Sequence, residues 1–94
     1  MNRVQVELSK QAQKELKKIP WLITRKLYLW VDSIVNNGLQ YTRKISGYHD
    51  EPLKGKRAGQ RSIRLNRAYR AIYSLNSNDE VEIIEIIEIN KHDY

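Results

Sequence analysis

The spacing of the apolar residues changes at Ser9, and that change sets the order of the first elements. Ahead of it, Val4, Val6 and Leu8 alternate with polar neighbours, the pattern of a short half-buried strand over Arg3–Leu8. Beyond it, Leu8, Ala12, Leu16 and Ile19 recur every three or four residues, which is one face of a helix. Lys10, Lys14, Lys17 and Lys18 fall on or near the other face. Ser9 itself is a good N-cap, because its hydroxyl can accept from an amide of the first turn. Pro20 breaks this helix and suits the first turn of a second one. There Ile23, Leu27, Trp30, Val31 and Ile34 keep helical spacing until Asn36-Asn37-Gly38 stops it. Trp21 and Trp30 are expected in the core of this helical hairpin.

The second half returns to strand patterns. Residues 39–60 read as loop, with Gly47, Pro52, Gly55 and Gly59 spread through them. Ser62–Asn66 alternates, and Tyr69–Tyr73 follows a tight connection, so the two form an antiparallel hairpin with Ile63 and Leu65 toward the core. Asn76–Asp79 reads as a turn. Glu80–Ile89 fits helical spacing in part, but its many β-branched residues and short length favour a strand. Glu82, Glu85 and Glu88 then cannot all share one face of a regular strand. The expected architecture is α+β, in the order β-α-α-β-β-β: one domain over residues 1–94, with a small, mostly antiparallel sheet against a helical hairpin.

Charge narrows the function. The chain carries a net +6, yet residues 54–70 alone hold seven cations and no acid, while residues 71–94 hold one Lys against six acids. Such concentration favours an anionic partner over simple solubility. No Cys is present, which excludes disulfides, thiolate catalysis and Cys-based zinc sites. His49 and His92 follow no metal-ligand spacing, so neither a metal nor another cofactor is expected. No apolar run approaches a membrane span and no signal peptide is visible, so a cytoplasmic location and no membrane partner are expected. A chain of 94 residues buries one modest core, which places any chemistry in a shallow surface groove.

Two segments carry candidate chemistry. Lys54, Lys56 and Arg57 sit on a glycine-bearing loop, and Arg61, Arg64 and Arg67 follow on or beside the hairpin. All six are candidates to hold phosphates of a nucleic acid. Arg70 lies on the hairpin's second strand, where it either pairs with a glutamate of the last strand or forks onto a phosphate. The second segment is His92-Asp93-Tyr94. If the last strand pairs with residues 69–73, His92 leaves it beside Arg67 and Arg70, and can act as general acid or base. Tyr94 can stack on an unpaired base. Asp50-Glu51 is a carboxylate pair that reads as solvated loop. Tyr28 and Leu29 are candidates to meet a protein partner.

At Leu53-Lys54-Gly55, Ile63-Arg64-Leu65 and Tyr69-Arg70-Ala71-Ile72-Tyr73, the chain resembles the RelE/ParE superfamily of bacterial toxins from type II toxin–antitoxin systems. The element order matches over nearly the whole chain, and the His92-Asp93-Tyr94 ending is similar to the RelE, YoeB and HigB branch. The resemblance implies a neutralising antitoxin as partner. It also implies a metal-independent endoribonuclease that cuts messenger RNA, usually on the ribosome, by attack of the RNA's own 2′-hydroxyl on the adjacent phosphate. It casts Arg64 and Arg70 as stabilisers of the charged phosphorane, with Arg61 beside them, His92 as the proton-transfer group and Tyr94 as a terminal aromatic. Two alternatives stay open: a gyrase-inhibiting relative, since the same fold hosts both, and a non-catalytic RNA-binding module.

Overall fold

The computed structural model describes residues 3–77 and 81–91. Strand β1 covers Arg3–Leu8, with Val4, Val6 and Leu8 on its half-buried side as the alternation predicts. Helix α1 (Lys10–Leu16) starts at Ser9, whose Oγ accepts from the amide of Ala12 at 3.0 Å. Pro20 stands immediately ahead of helix α2 (Trp21–Asn37), whose Ile23, Leu27, Trp30 and Ile34 are buried. Gly38 ends α2 with φ +88°, a left-handed value that favours glycine. That turn lets the chain enter a third short helix, α3 (Leu39–Arg43). Thr42 fastens it, donating to the carbonyl of Gly38 at 2.9 Å and sharing a hydrogen bond of 2.7 Å with Ser33.

The sheet has five strands in the order β1-β5-β4-β3-β2, with β2 at Glu51–Pro52, β3 at Gln60–Arg64, β4 at Tyr69–Ser77 and β5 at Val81–Lys91. All pairings are antiparallel except that of β1 with β5, so the sheet is mixed. Two elements depart from the loop expected over residues 39–60. Helix α3 and strand β2 are too short to show a period, and tertiary pairing defines them. The hairpin's second strand also runs further than expected, through Asn76 and Ser77. Residues 78–80, which complete the expected turn and begin the expected last strand, lie outside the described residues.

One face of the sheet carries all three helices. Ala12, Leu27, Trp30, Ile34 and Leu39 meet Ile63, Ala71, Tyr73, Ile84, Ile86 and Ile89 in one cluster. Trp30 stacks obliquely on Tyr73, ring centroids 5.0 Å apart. Trp21 is not part of this core. It is 70% exposed, because it lies two residues from Ile23 and so well off the buried stripe of α2.

Where β1 ends, α1 takes over the edge of β5. Ser9 donates its amide to Ile86 O and its hydroxyl to Ile87 O, and Glu15 accepts from the amide of Ile89 at 2.8 Å. A bulge interrupts β5 here: Ile72 pairs with Glu88 but Tyr73 with Ile86, leaving Ile87 as an extra residue. This resolves the three glutamates. The bulge returns Glu88 to the face of Glu85, the one away from the helices, while Glu82 lies on the helical face opposite Val4.

Candidate active site

The sheet face away from the helices holds the candidate site. Alternation puts Ser62 and Arg64 of β3 on that face, with Ile63 and Leu65 buried in the core behind them. Across the hairpin, Arg64 pairs directly with Arg70, and Arg70 pairs on its other side with Asn90 of β5. Two arginines directly opposite one another repel, so packing alone does not account for them. Arg64 has no ion-pair partner among the described residues, and its Nε is buried without a hydrogen bond. The hairpin turn is set by Asn66, whose Oδ1 accepts from the amides of Ala68 and Tyr69, both at 2.8 Å. This turn leaves Arg67 exposed at the same end of the hairpin.

A groove of about 390 Å³ opens beside Arg70, lined by Glu51, Leu53, Arg57, Ser62, Ile72 and Asn90. That volume is in the range of small-ligand clefts. One wall is the loop between β2 and β3, a 3-10 turn over Gly55–Arg57 that also carries the exposed Lys54 and Lys56. Arg57 holds this loop down by an ion pair to Glu88 and a 3.0 Å hydrogen bond to Gln60. Arg70 is fixed by Ser62 Oγ at 3.5 Å and Glu51 Oε1 at 3.4 Å. It therefore pairs with neither Glu82, Glu85 nor Glu88.

Arg61 is not brought into this groove. It sits on the helical face, where its Nε donates to Asp50 Oδ1 at 2.6 Å. The Asp50 side chain is fully buried, and its other oxygen accepts from the Tyr73 hydroxyl at 2.6 Å. Burial, reinforced by the Asp50 carboxylate, pushes Tyr73 up to about 12, with Arg43 opposing. Burial acts to lower Arg61, but its hydrogen bond and attraction to Asp50 prevail and raise it. Arg61 is thus the anchor of the Asp50–Glu51 corner.

Glu51 is the group sequence reading passed over. Adjacent residues on extended backbone point to opposite sides. Asp50 therefore turns into the protein, and Glu51 turns to the groove with a 60% exposed side chain. The alternation either side of Pro52 was the available signal. Strand β5 ends at Lys91, paired with Tyr69, next to the Asn90–Arg70 pair. His92 and Tyr94 follow and lie outside the described residues. Among the described residues no group of three or more His, Asp or Glu side chains is placed to hold a metal, and no helix is long and apolar enough to cross a membrane.

Residues 6–93 match the family described as the ParE toxin of the type II toxin–antitoxin system parDE. No curated protein sequence matches the chain. Solved structures share its fold. A YoeB/ParE toxin from Agrobacterium tumefaciens is 17% identical, with TM-score 0.74 over 95% of this chain and 99% of that one. YafQ in the E. coli DinJ–YafQ toxin–antitoxin complex is 23% identical, with TM-score 0.72 over 96% and 93% of the two chains. The archaeal RelE–RelB complex from Pyrococcus horikoshii gives 25% identity and TM-score 0.69 over 95% and 94%.

Proposed function

The chain belongs to the ParE toxin family of type II toxin–antitoxin systems, and from that premise we propose that it arrests growth by cutting messenger RNA. The observation that carries this reading is Arg70 beside an exposed carboxylate, Glu51, in one groove, with Arg64 facing Arg70 across the hairpin. Transesterification of RNA needs three things: a base for the 2′-hydroxyl, cations for the phosphorane, and an acid for the departing 5′-oxygen.

Glu51 takes the proton of the 2′-hydroxyl as its oxygen attacks the adjacent phosphorus. Arg64 and Arg70 stabilise the charge that builds on the non-bridging oxygens. His92 donates a proton to the 5′-oxygen as its bond to phosphorus breaks. The products are a 2′,3′-cyclic phosphate and a 5′-hydroxyl, and neither proton transfer calls for a metal. Tyr94 supplies a stacking surface for a flanking base.

Lys54, Lys56 and Arg67 flank the groove and hold neighbouring phosphates. Arg57 contributes to that field but is shared with Glu88. Translating ribosomes supply the RNA in a fixed conformation, because an open groove of this size orders a flexible strand poorly on its own. A cognate antitoxin restrains the activity, as the DinJ–YafQ and RelE–RelB complexes suggest for relatives.

The family match also keeps the gyrase-directed reading in play. The test is to express the chain briefly, map new 5′ ends on cellular transcripts, and assay gyrase supercoiling with the purified protein. New 5′-hydroxyl ends inside coding regions, with supercoiling intact, are expected. Inhibited supercoiling with no new ends would replace this reading.

A further inference from the structure

Asp50 stands one residue before Glu51, and its side chain is fully buried. Arg61 Nε donates to Asp50 Oδ1 and the Tyr73 hydroxyl to Oδ2, both at 2.6 Å. Arg61 Nη2 also reaches the carbonyl oxygen of Asp50 at 3.5 Å, so it touches the peptide that joins Asp50 to Glu51. Arg61 and Tyr73 are direct partners across β3 and β4, and the Tyr73 ring lies against Trp30 in the core. Two strands and the core therefore grip one carboxylate.

Stability does not explain this arrangement. A buried ion pair is often no better than well-packed apolar side chains of similar volume. Local backbone preference does not explain it either. His49, immediately ahead, is the one non-glycine among the described residues with positive φ, at +45°. Such a left-handed residue persists where the surrounding structure imposes it. The chain turns at the exposed His49, buries the Asp50 side chain and brings Glu51 back to the surface. The sheet alone holds Glu51 weakly. Strand β2 is two residues long and lies at the sheet edge, and its second residue, Pro52, has no amide proton to donate.

We propose that Asp50 is a positioning residue for Glu51. Gripped by Arg61 and Tyr73, it fixes where β2 leaves the protein interior, and so keeps the Glu51 carboxylate in the groove beside Arg70. The proposal rests on the reading of Glu51 as the base that takes the 2′-hydroxyl proton. A base works within hydrogen-bond reach of that proton, and a displacement of about 1 Å can cost roughly 10²-fold in rate. Asp50, Arg61 and Tyr73 themselves lie behind the groove and act through Glu51.

A cycle of variants tests it. Single-turnover cleavage on the ribosome is measured for Asp50→Asn and Tyr73→Phe, each alone and each combined with Glu51→Gln. Asp50→Asn keeps the size of the side chain but removes the charge that grips Arg61. Tyr73→Phe removes one hydrogen bond and leaves the ring on Trp30, so it decides the matter if Asp50→Asn does not fold. With Glu51 present, Asp50→Asn should slow cleavage about 10–100-fold and Tyr73→Phe roughly three- to tenfold, with ribosome binding unchanged within a few-fold. In the Glu51→Gln background neither should slow it further, because no base is left to displace. A general loosening of the fold would slow both backgrounds alike, and that result would overturn the proposal. So would a wild-type rate in Asp50→Asn, or in Tyr73→Phe should Asp50→Asn not fold. If Glu51→Gln itself cuts at the wild-type rate, or the wild-type chain cuts no RNA, the reading of the groove fails and the proposal falls with it.

Discussion

Arg64 and Arg70 face each other directly across β3 and β4, two cations at a cross-strand position where opposite charges would add stability. Among the described residues only Arg70 of the two has a carboxylate within reach, Glu51 at 3.4 Å. Unrelieved repulsion inside a hairpin points to a ligand that neutralises it, and a phosphate with two non-bridging oxygens suits two guanidinium forks.

Replacing Arg64 should therefore separate stability from function. Arg64→Gln relieves the repulsion and should raise stability by about 0.2–1 kcal/mol, the range for cross-strand charge pairs. RNA cleavage should fall at the same time. Chemical denaturation read beside a cleavage assay checks both. A variant that loses stability and keeps its activity would mean that Arg64 is a packing residue.

Glu51→Gln addresses the base. It keeps the shape of the groove and a hydrogen-bond acceptor for Arg70, but removes the proton acceptor. Cleavage should drop about 10²–10⁴-fold, the usual contribution of a positioned acid or base. RNA affinity should hold or rise, because a negative charge has left a phosphate site. Unchanged cleavage in this variant would move the base to another group.

Tyr73 gives a pH signature of the scaffold. Its ordinary value of 10.0 is raised to about 12 in the folded protein, mainly by burial and then by Asp50. The folded state therefore binds this proton more tightly than the unfolded chain. Its contribution is complete below pH 10 and disappears as pH rises to about 12. A shift of this size corresponds to roughly 2–3 kcal/mol. Stability measured by denaturant titration should decline steeply across that window, and Tyr73→Phe should flatten the decline. An equally steep decline in Tyr73→Phe would assign it to other groups.

The parts of the fold that were legible in the sequence are those with a period. Ser9 and Gly38 bound the helices where capping and backbone rules place them, while α1 already ends at Leu16 and Pro20 stands just ahead of α2 rather than in its first turn; the alternation of β1 and β3 faces the way it was read. Strand β2 has two residues and α3 has five, so neither shows a repeat. The bulge at Ile87 comes from the fit between β4, β5 and α1, and no local pattern announces it. Some of what was missed was nevertheless written in spacing. Arg61 and Arg64 stand three apart on one strand and so take opposite faces. Trp21 lies off the stripe of Ile23 and Leu27. Asp50 and Glu51 are neighbours on extended backbone and part company for the same reason. Treating residues 54–70 as one cationic strip hid this division of its arginines between groove and scaffold.

Single-turnover cleavage of a defined messenger RNA on the ribosome, with wild-type chain and with Arg70→Ala, tests the central claim most directly. If Arg70 acts on the developing phosphorane, its loss should slow cleavage by about 10²–10³-fold, the scale of removing one preorganised donor. Binding to the same ribosome complex should stay within a few-fold. Cleavage by Arg70→Ala at the wild-type rate, or a loss of binding as large as the loss of cleavage, would contradict a catalytic role for this groove.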